Sequence, residues 1–351
     1  MKRLQEYDGI DLTRLVLAFL VIAAHTYPLS SISEDLNFLL VHVIARVAVP
    51  FFMMTTGYFL LPRFFDQKYQ STEPIICFIK KTGLLYIGAT LLYLPVSIYA
   101  GFYSNGNILR IFIRNLLLDG TFYHLWYLPA VMLGVLLVFA LSRKCSLYTT
   151  FGITIFLYLV GLLGDNYYSM TANIPFLQAA YESGFNIFSY TRNGLFYAPI
   201  FLTMGAMMEK EKQPLSKPAN TVGLIISMLL MITEGMLLKY TATPRHTSMY
   251  ISLLFCSYFL FGLIKNHHGK RSPFMRDTSM WIFILHPLLI VAIRGAAKIT
   301  GLTSLLVANN LVFYLLVSAL SLTTAILIGK RHQLTSFTVR KMQRKLQRKL
   351  H

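Results

Sequence analysis

IDLTRLVLAFLVIAAHTYPL, residues 10–29, is an apolar run that carries charged or imidazole side chains only at Asp11, Arg14 and His25. Wound as a helix at ~1.5 Å per residue, a segment of this length covers the ~30 Å hydrocarbon core of a bilayer. It closes on Tyr27-Pro28 without a small-residue cleavage site, so it is expected as a retained first span rather than a signal peptide. Its apolar residues are continuous, whereas a barrel strand alternates.

Comparable runs recur at 39–61, 80–101, 125–142, 148–164, 192–208, 219–238, 248–264, 279–297 and 306–329. Hydrophobic residues make up 55% of the 351 and charged residues 13%, against about 25% charged in a soluble domain. The expected fold is all-α: a polytopic helical membrane protein of about ten transmembrane helices, with no stretch that reads as a soluble enzymatic domain. The region 108–118 fits an interfacial or re-entrant helix. The longest outer connection is roughly 165–191, with Asp165, Pro175 and Glu182. Cys77, Cys145 and Cys256 are odd in number and far apart, which argues against a disulfide framework.

A formal charge of +18 is compatible with nucleic-acid binding, but its distribution is not. With the N-terminus inside, the cytoplasmic segments hold 23 Lys and Arg, the outer side holds 7, and Arg14 and Arg46 lie within spans. That asymmetry is the positive-inside signature, and it places both termini in the cytoplasm. The expected partners are therefore membrane lipids and no nucleic acid. The membrane domain is expected over 1–329. Residues 330–351 form a basic tail, with Arg340-Lys341, Arg344-Lys345 and Arg348-Lys349 at four-residue spacing around Val339, Met342, Leu346 and Leu350. Such a helix lies against anionic headgroups, anchors by charge alone, or links to a further domain.

Ionisable groups inside spans are costly and should face the bundle interior. Counted at ~1.5 Å per residue, His25 lies ~22 Å up the first span and Arg46 ~10 Å below the outer surface. His124 and Trp126 open the fourth span, Arg192 opens the sixth, Glu234 sits in the outer third of the seventh, and Arg245-His246 precede the eighth. Seven ionisable groups thus share the outer level: His25, Arg46, His124, Arg192, Glu234, Arg245 and His246. Arg14 stands near the cytoplasmic end, and His286 lies ~10 Å up the ninth span. The expectation is a polar chamber opening outward. Arg46 and Arg192 suit a carboxylate, Glu234 an ammonium, and His25 or His124 a hydroxyl proton. Each has a plainer reading: a lone helical histidine as structural partner, an interfacial arginine that snorkels, Trp126-Tyr127 as belt residues. No Walker loop, dinucleotide glycine pattern or Cys/His metal spacing is present, and His267-His268 reads as a solvated pair. Neither a metal nor a resident cofactor is expected.

Arg14 and His25, ten residues between them, resemble the first-helix signature of the acyltransferase-3 superfamily of membrane O-acyltransferases. Arg46-Val-Ala-Val-Pro50-Phe-Phe with Thr56-Gly57-Tyr58 resembles its second-helix motif, with Thr56 where the family usually has Ser. His124-Leu-Trp126-Tyr-Leu and Leu285-His286-Pro287 match later motifs. Tyr123-His-Leu-Trp-Tyr, Thr191-Arg-Asn-Gly194 and His246-Thr-Ser-Met-Tyr250 are more closely similar to the membrane domains of serine racemases from vancomycin-resistance operons.

The closer resemblance implies a bacterial plasma-membrane module that binds and imports L-serine for a cytoplasmic racemase domain, which would begin about where this chain ends. Its substrate site would draw on Arg46, His124, Trp126, Arg192, Glu234, His246 and His286. The superfamily implies instead an O-acyltransferase, with His25 as general base, Arg14 on the phosphates of an acyl-CoA co-substrate, and a small or cell-wall hydroxyl compound as acceptor. A third reading is a passive membrane anchor.

Overall fold

In hydrocarbon no water satisfies the backbone, so each apolar run must close its hydrogen bonds within itself as a helix. A computed structural model describes residues 8–66, 69, 71–102, 107–241, 244–265, 267 and 272–347, with side chains only as far as Gly329. His268 and the basic side chains of the tail, with the surface-helix and linker readings that rest on them, lie outside the described residues.

The principal helices are α1 (Asp8–Thr26), α2 (Ala48–Leu60), α3 (Glu73–Tyr99), α4 (Tyr127–Ser142), α5 (Leu147–Leu163), α6 (Ala198–Lys210), α7 (Lys217–Thr241), α8 (Ile251–Lys265), α9 (Pro273–Thr300) and α10 (Asn310–Gln347). They follow the ten apolar runs one for one. Six segments are long and apolar enough to cross a membrane: Gly9–Thr26, Glu34–Leu60, Glu73–Tyr99, Lys217–Thr241, Pro273–Thr300 and Asn310–Gly329. Helices α4, α5 and α8 are shorter apolar helices, and α6 has 13 residues. The protein is an all-α polytopic membrane protein. Region 108–118 is the helix Ile108–Arg114 followed by a π-helical turn, Asn115–Asp119, and the 165–191 connection carries helices Tyr168–Ala172 and Pro175–Phe185.

The boundaries depart from hydropathy in an ordered way. Helix α3 starts at Glu73 and α9 at Pro273, each before its apolar run, because a helix runs on into the polar layer when its first turn is stabilised. In α9 the Ser272 hydroxyl accepts from the Met275 amide (3.3 Å) and Pro273 occupies the first turn. Helices α4, α6 and α8 start late, at Tyr127, Ala198 and Ile251. His124, Arg192 and His246 therefore stand in non-helical segments that lead into helix N-termini.

The chain divides into two compact units. One comprises Met1–Asn37 with His267–His351 and contains α1, α9 and α10. Its interior is Ala18 and Ile22 of α1, Ile282, Ile290 and Ile293 of α9, and Phe313, Val317 and Ala325 of α10. The other, Phe38–Asn266, contains α2–α8. Between membrane helices the drive is close packing rather than release of water, which favours small residues at crossings. Helices α2 and α6 meet this way from both sides. A Cβ on Gly57 would overlap the Leu202 backbone, and one on Gly205 would overlap the Met54 carbonyl and the Tyr58 amide. At their C-terminal ends, α6 and α8 are tied by Lys265, whose ammonium lies 2.5 Å from Glu211 and donates to the Met208 carbonyl (3.0 Å). The Tyr258 hydroxyl also donates to Glu211 (3.1 Å).

Backbone atoms at the α2–α6 crossing cannot rotate away as a side chain can. Gly205→Val is therefore expected to destabilise the fold by about 3 kcal/mol or more. The yield of monodisperse protein in detergent should fall severalfold relative to Gly88→Ala, where no heavy atom lies within 4 Å of the new Cβ.

Candidate functional site

In the larger unit the second apolar run is not a uniform helix. Leu39–Val43 is π-helical and Ile44–Val47 is a 3-10 turn before α2 begins. Such irregularities re-aim side chains and recur at functional sites. Here they carry His42 and Arg46. The Arg46 Nη2 donates to His42 Nδ1 (3.1 Å), which also lies 2.7 Å from the Thr247 hydroxyl. A guanidinium can only donate, so Nδ1 is the acceptor and the His42 ring carries its hydrogen on Nε2.

The segment before α6 is shaped by Asn193. Its side-chain oxygen accepts from the amides of Leu195 (2.9 Å) and Phe196 (3.2 Å), and its amide nitrogen donates to the Tyr190 carbonyl (2.8 Å). This local closure turns the chain without a helix, and Arg192 projects from the turn. Its guanidinium lies 4.9 Å from the ring centre of Trp126 and 4.7 Å from that of Tyr190, contacts that stabilise a partly desolvated cation. Nε of both Arg192 and Arg46 is buried without a hydrogen-bond partner. The two cations are near enough to repel each other, and both act on Asp165.

The segment before α8 is held by two carboxylates. Asp165, in the connection after α5, accepts at Oδ1 from the amides of Ser248 (2.7 Å) and Met249 (3.1 Å). Glu234 of α7 accepts at Oε1 from the Ile251 amide (2.7 Å) and the Tyr167 hydroxyl (2.8 Å), and at Oε2 from the Ser252 amide (2.9 Å). The amide donors lead into and open a helix, where backbone N–H groups lack intrahelical partners and an anion is favoured. Glu234, which its depth suggests as an ammonium partner, thus caps α8. Tyr158 donates to the Tyr250 carbonyl (2.8 Å), and Tyr250 donates to the His42 carbonyl (2.7 Å). The locked segment sets the His246 ring 4.4 Å from that of Tyr190.

Burial, with Arg192, Arg245 and Arg46 adding to it, lowers His246 to about 4, so it is neutral at physiological pH. Burial raises Asp165 to about 6 against the pull of its amide bonds, Arg192 and Arg46, so it is mostly ionised at neutral pH. Asp119 is also raised by burial, opposed by Ser189, Arg114 and Arg192. Both its oxygens accept from the Ser189 amide, and Oδ2 lies 3.2 Å from Arg114.

Arg46, Arg192, Trp126 and His246 are therefore linked through Tyr190, His42 and Thr247 around one electrostatic centre. His124 is buried against the rings of Tyr93 (5.0 Å), Phe122 (5.8 Å) and Tyr123 (5.6 Å), two residues before Trp126. Arg245 lies 3.6 Å from the Phe185 ring centre. His42, Asp165, Tyr190 and Thr247 were not singled out by depth along the sequence. Asp165 and Tyr190 fall in connections, and His42 reads as one polar residue in an apolar run.

In the smaller unit, His25 near the end of α1 stacks on His286 of α9, with ring centres 5.4 Å apart and planes at 24°. This corrects the low level assigned to His286. Because α9 starts at Pro273, His286 stands ~20 Å along its helix and His25 ~25 Å along α1. His286 Nδ1 lies 2.9 Å from the Ile282 carbonyl, which can only accept, so Nδ1 carries a hydrogen. Arg14 is about three turns before His25, on the same face of α1. Directly after His25, Tyr27 takes a left-handed conformation (φ 53°), unusual for a residue with a side chain.

Residues 7–330 match the family described as Acyltransferase domain. An amino-acid racemase of Enterococcus faecalis is 37% identical over 330 residues, 93% of this chain and 46% of the relative. A second amino-acid racemase of that organism is 35% identical over 325 residues, 92% of this chain and 46% of the relative. A serine/alanine racemase of Enterococcus gallinarum is 33% identical over 316 residues, 90% of this chain and 45% of the relative. The chain thus spans a little under half the length of the curated relatives it matches. No solved structure matches it.

Removing a capping carboxylate strands buried amides at about 1–3 kcal/mol each. Asp165→Ala and Glu234→Ala should each lower the thermal unfolding midpoint of the purified protein by several degrees. Arg192→Gln, which relieves repulsion with Arg46, should leave the midpoint unchanged or raise it. A drop for Arg192→Gln equal to that of the cap variants would make Arg192 a structural residue.

Proposed function

The chain belongs to the Acyltransferase domain family, and from that membership we propose that it is a membrane module related to serine racemases, which binds L-serine from outside and passes it inward to a cytoplasmic racemase domain. The observation that carries this reading is the pair Arg46 and Arg192. The two guanidinium groups repel each other, Arg192 lies against two aromatic rings, Arg46 donates to His42, and Nε of each is left unused. A bound carboxylate supplies the missing acceptors and cancels the repulsion. The serine hydroxyl is small and suits His246, which is neutral and so offers both a donor and an acceptor. The positive-inside distribution supports a plasma-membrane orientation with the starts of α4, α6 and α8 facing outward. The names of the relatives support a racemase partner and, by way of the operon resemblance, a role in vancomycin resistance.

A second reading has its own observation. Arg14 and His25 share a face of α1, and His25 stacks on His286. This arrangement suits acyl transfer: a neutral histidine takes the proton of an acceptor hydroxyl, whose oxygen attacks the thioester carbonyl of acyl-CoA, and the thiolate of CoA leaves. Arg14 would hold phosphates of the donor.

The two readings separate in one experiment on proteoliposomes. For uptake, Arg46→Gln and Arg192→Gln should each reduce accumulation of labelled L-serine more than tenfold, with His25→Ala near wild type. For acyl transfer, labelled acetyl-CoA should acylate an acceptor or the protein, and His25→Ala should abolish the label. Undiminished serine uptake by both arginine variants would remove the site from the transport reading.

A further inference from the structure

The carboxylates near Arg46 and Arg192 differ in what remains free. Asp119 has both oxygens on the Ser189 amide and one beside Arg114. Glu234 has both oxygens on donors at the start of α8. Asp165 uses only Oδ1. Its side chain is fully buried, and Oδ2 has no hydrogen-bond partner. It is the one carboxylate oxygen among the buried, unpartnered side-chain atoms of the described residues.

An unused buried anionic oxygen is costly unless something answers it. It lies in the field of Arg46 and Arg192, which also keep unused donors. A simple anion would answer the arginines and be repelled by Asp165. A simple cation would do the reverse. A molecule with a cation and an anion one carbon apart answers both at once. We propose that Asp165 Oδ2 receives the α-ammonium group of a substrate whose carboxylate lies on Arg46 and Arg192, so that Asp165 selects α-amino acids over hydroxy acids. This rests on the reading of the arginine pair as a carboxylate site. It also makes one residue serve two ends: Oδ1 fixes the segment bearing His246 and Thr247, and Oδ2 holds the substrate amine against it.

Asp165→Asn separates these duties, because the amide oxygen still accepts from Ser248 and Met249 while the charge is gone. The probes are labelled L-serine and labelled L-glycerate, which replaces the ammonium by hydroxyl and keeps the rest, bound to the purified full chain. Wild type is expected to bind L-serine at least tenfold more tightly than L-glycerate. Asp165→Asn should lose at least tenfold for serine, retain or improve glycerate, and keep its unfolding midpoint within a few degrees of wild type. Wild-type serine affinity in Asp165→Asn, equal affinity of the wild type for both compounds, or an equal loss of both in the variant would each overturn the assignment and leave the arginine site standing. Binding of neither compound by the wild type would overturn the serine reading and the assignment with it.

Discussion

The larger unit depends on how backbone amides are satisfied where the chain is not helical. Hydrocarbon offers such groups no partner, so an interrupted helix survives in a membrane only where protein groups or a water-filled cavity supply one. The start of α8 shows the solution. Four amides, those of Ser248, Met249, Ile251 and Ser252, fall to two carboxylates from different elements, Asp165 and Glu234. The carbonyl of Tyr250 takes the Tyr158 hydroxyl, and the Tyr250 hydroxyl closes on the second apolar run at His42. Ionised acceptors make the stronger hydrogen bonds, and here they hold an unwound segment in one conformation.

That rigidity gives the site its precision. The turn before α6 is closed by Asn193, the segment before α8 by Asp165 and Glu234, and the run before α2 by π and 3-10 windings. Each of these irregular stretches delivers a polar side chain: Arg192, His246 and Arg46. Regular helices in their place would have pointed successive residues around the axis at 100° intervals and dispersed these groups.

The polar residues divide into two chemistries by unit. One unit holds a stacked histidine pair on neighbouring helices, with Arg14 on the same face as His25. The other holds paired arginines, aromatic faces and a half-used carboxylate. Membership in the Acyltransferase domain family covers both, and relatives named as racemases extend over both. The functional argument therefore rests on which chemistry each group of side chains can perform rather than on the fold that carries them.

Hydropathy is local, and it sufficed to locate the helices: each of the ten apolar runs carries one principal helix, and Arg46 and Arg192 are legible as costly residues that need a use. Helix starts were less legible. Ser272 and Pro273 carry α9 ahead of its apolar run, whereas α6 begins behind its run because Asn193 closes a local turn, and α8 because Asp165 and Glu234 hold the amides around its start. Depth counted from the wrong start put His286 below His25, and the packing of α1 on α9 brought their rings together. Asp165 and His42 could not be recognised in advance. An acid in a connection looks solvated until an amide 83 residues away claims one of its oxygens. The sequence by itself determined which segments are apolar enough to enter a membrane, because transfer free energy adds up residue by residue along the chain. Only the tertiary structure decided which polar groups are spent on the backbone and which are left for a ligand, because hydrogen-bond partners are chosen across space.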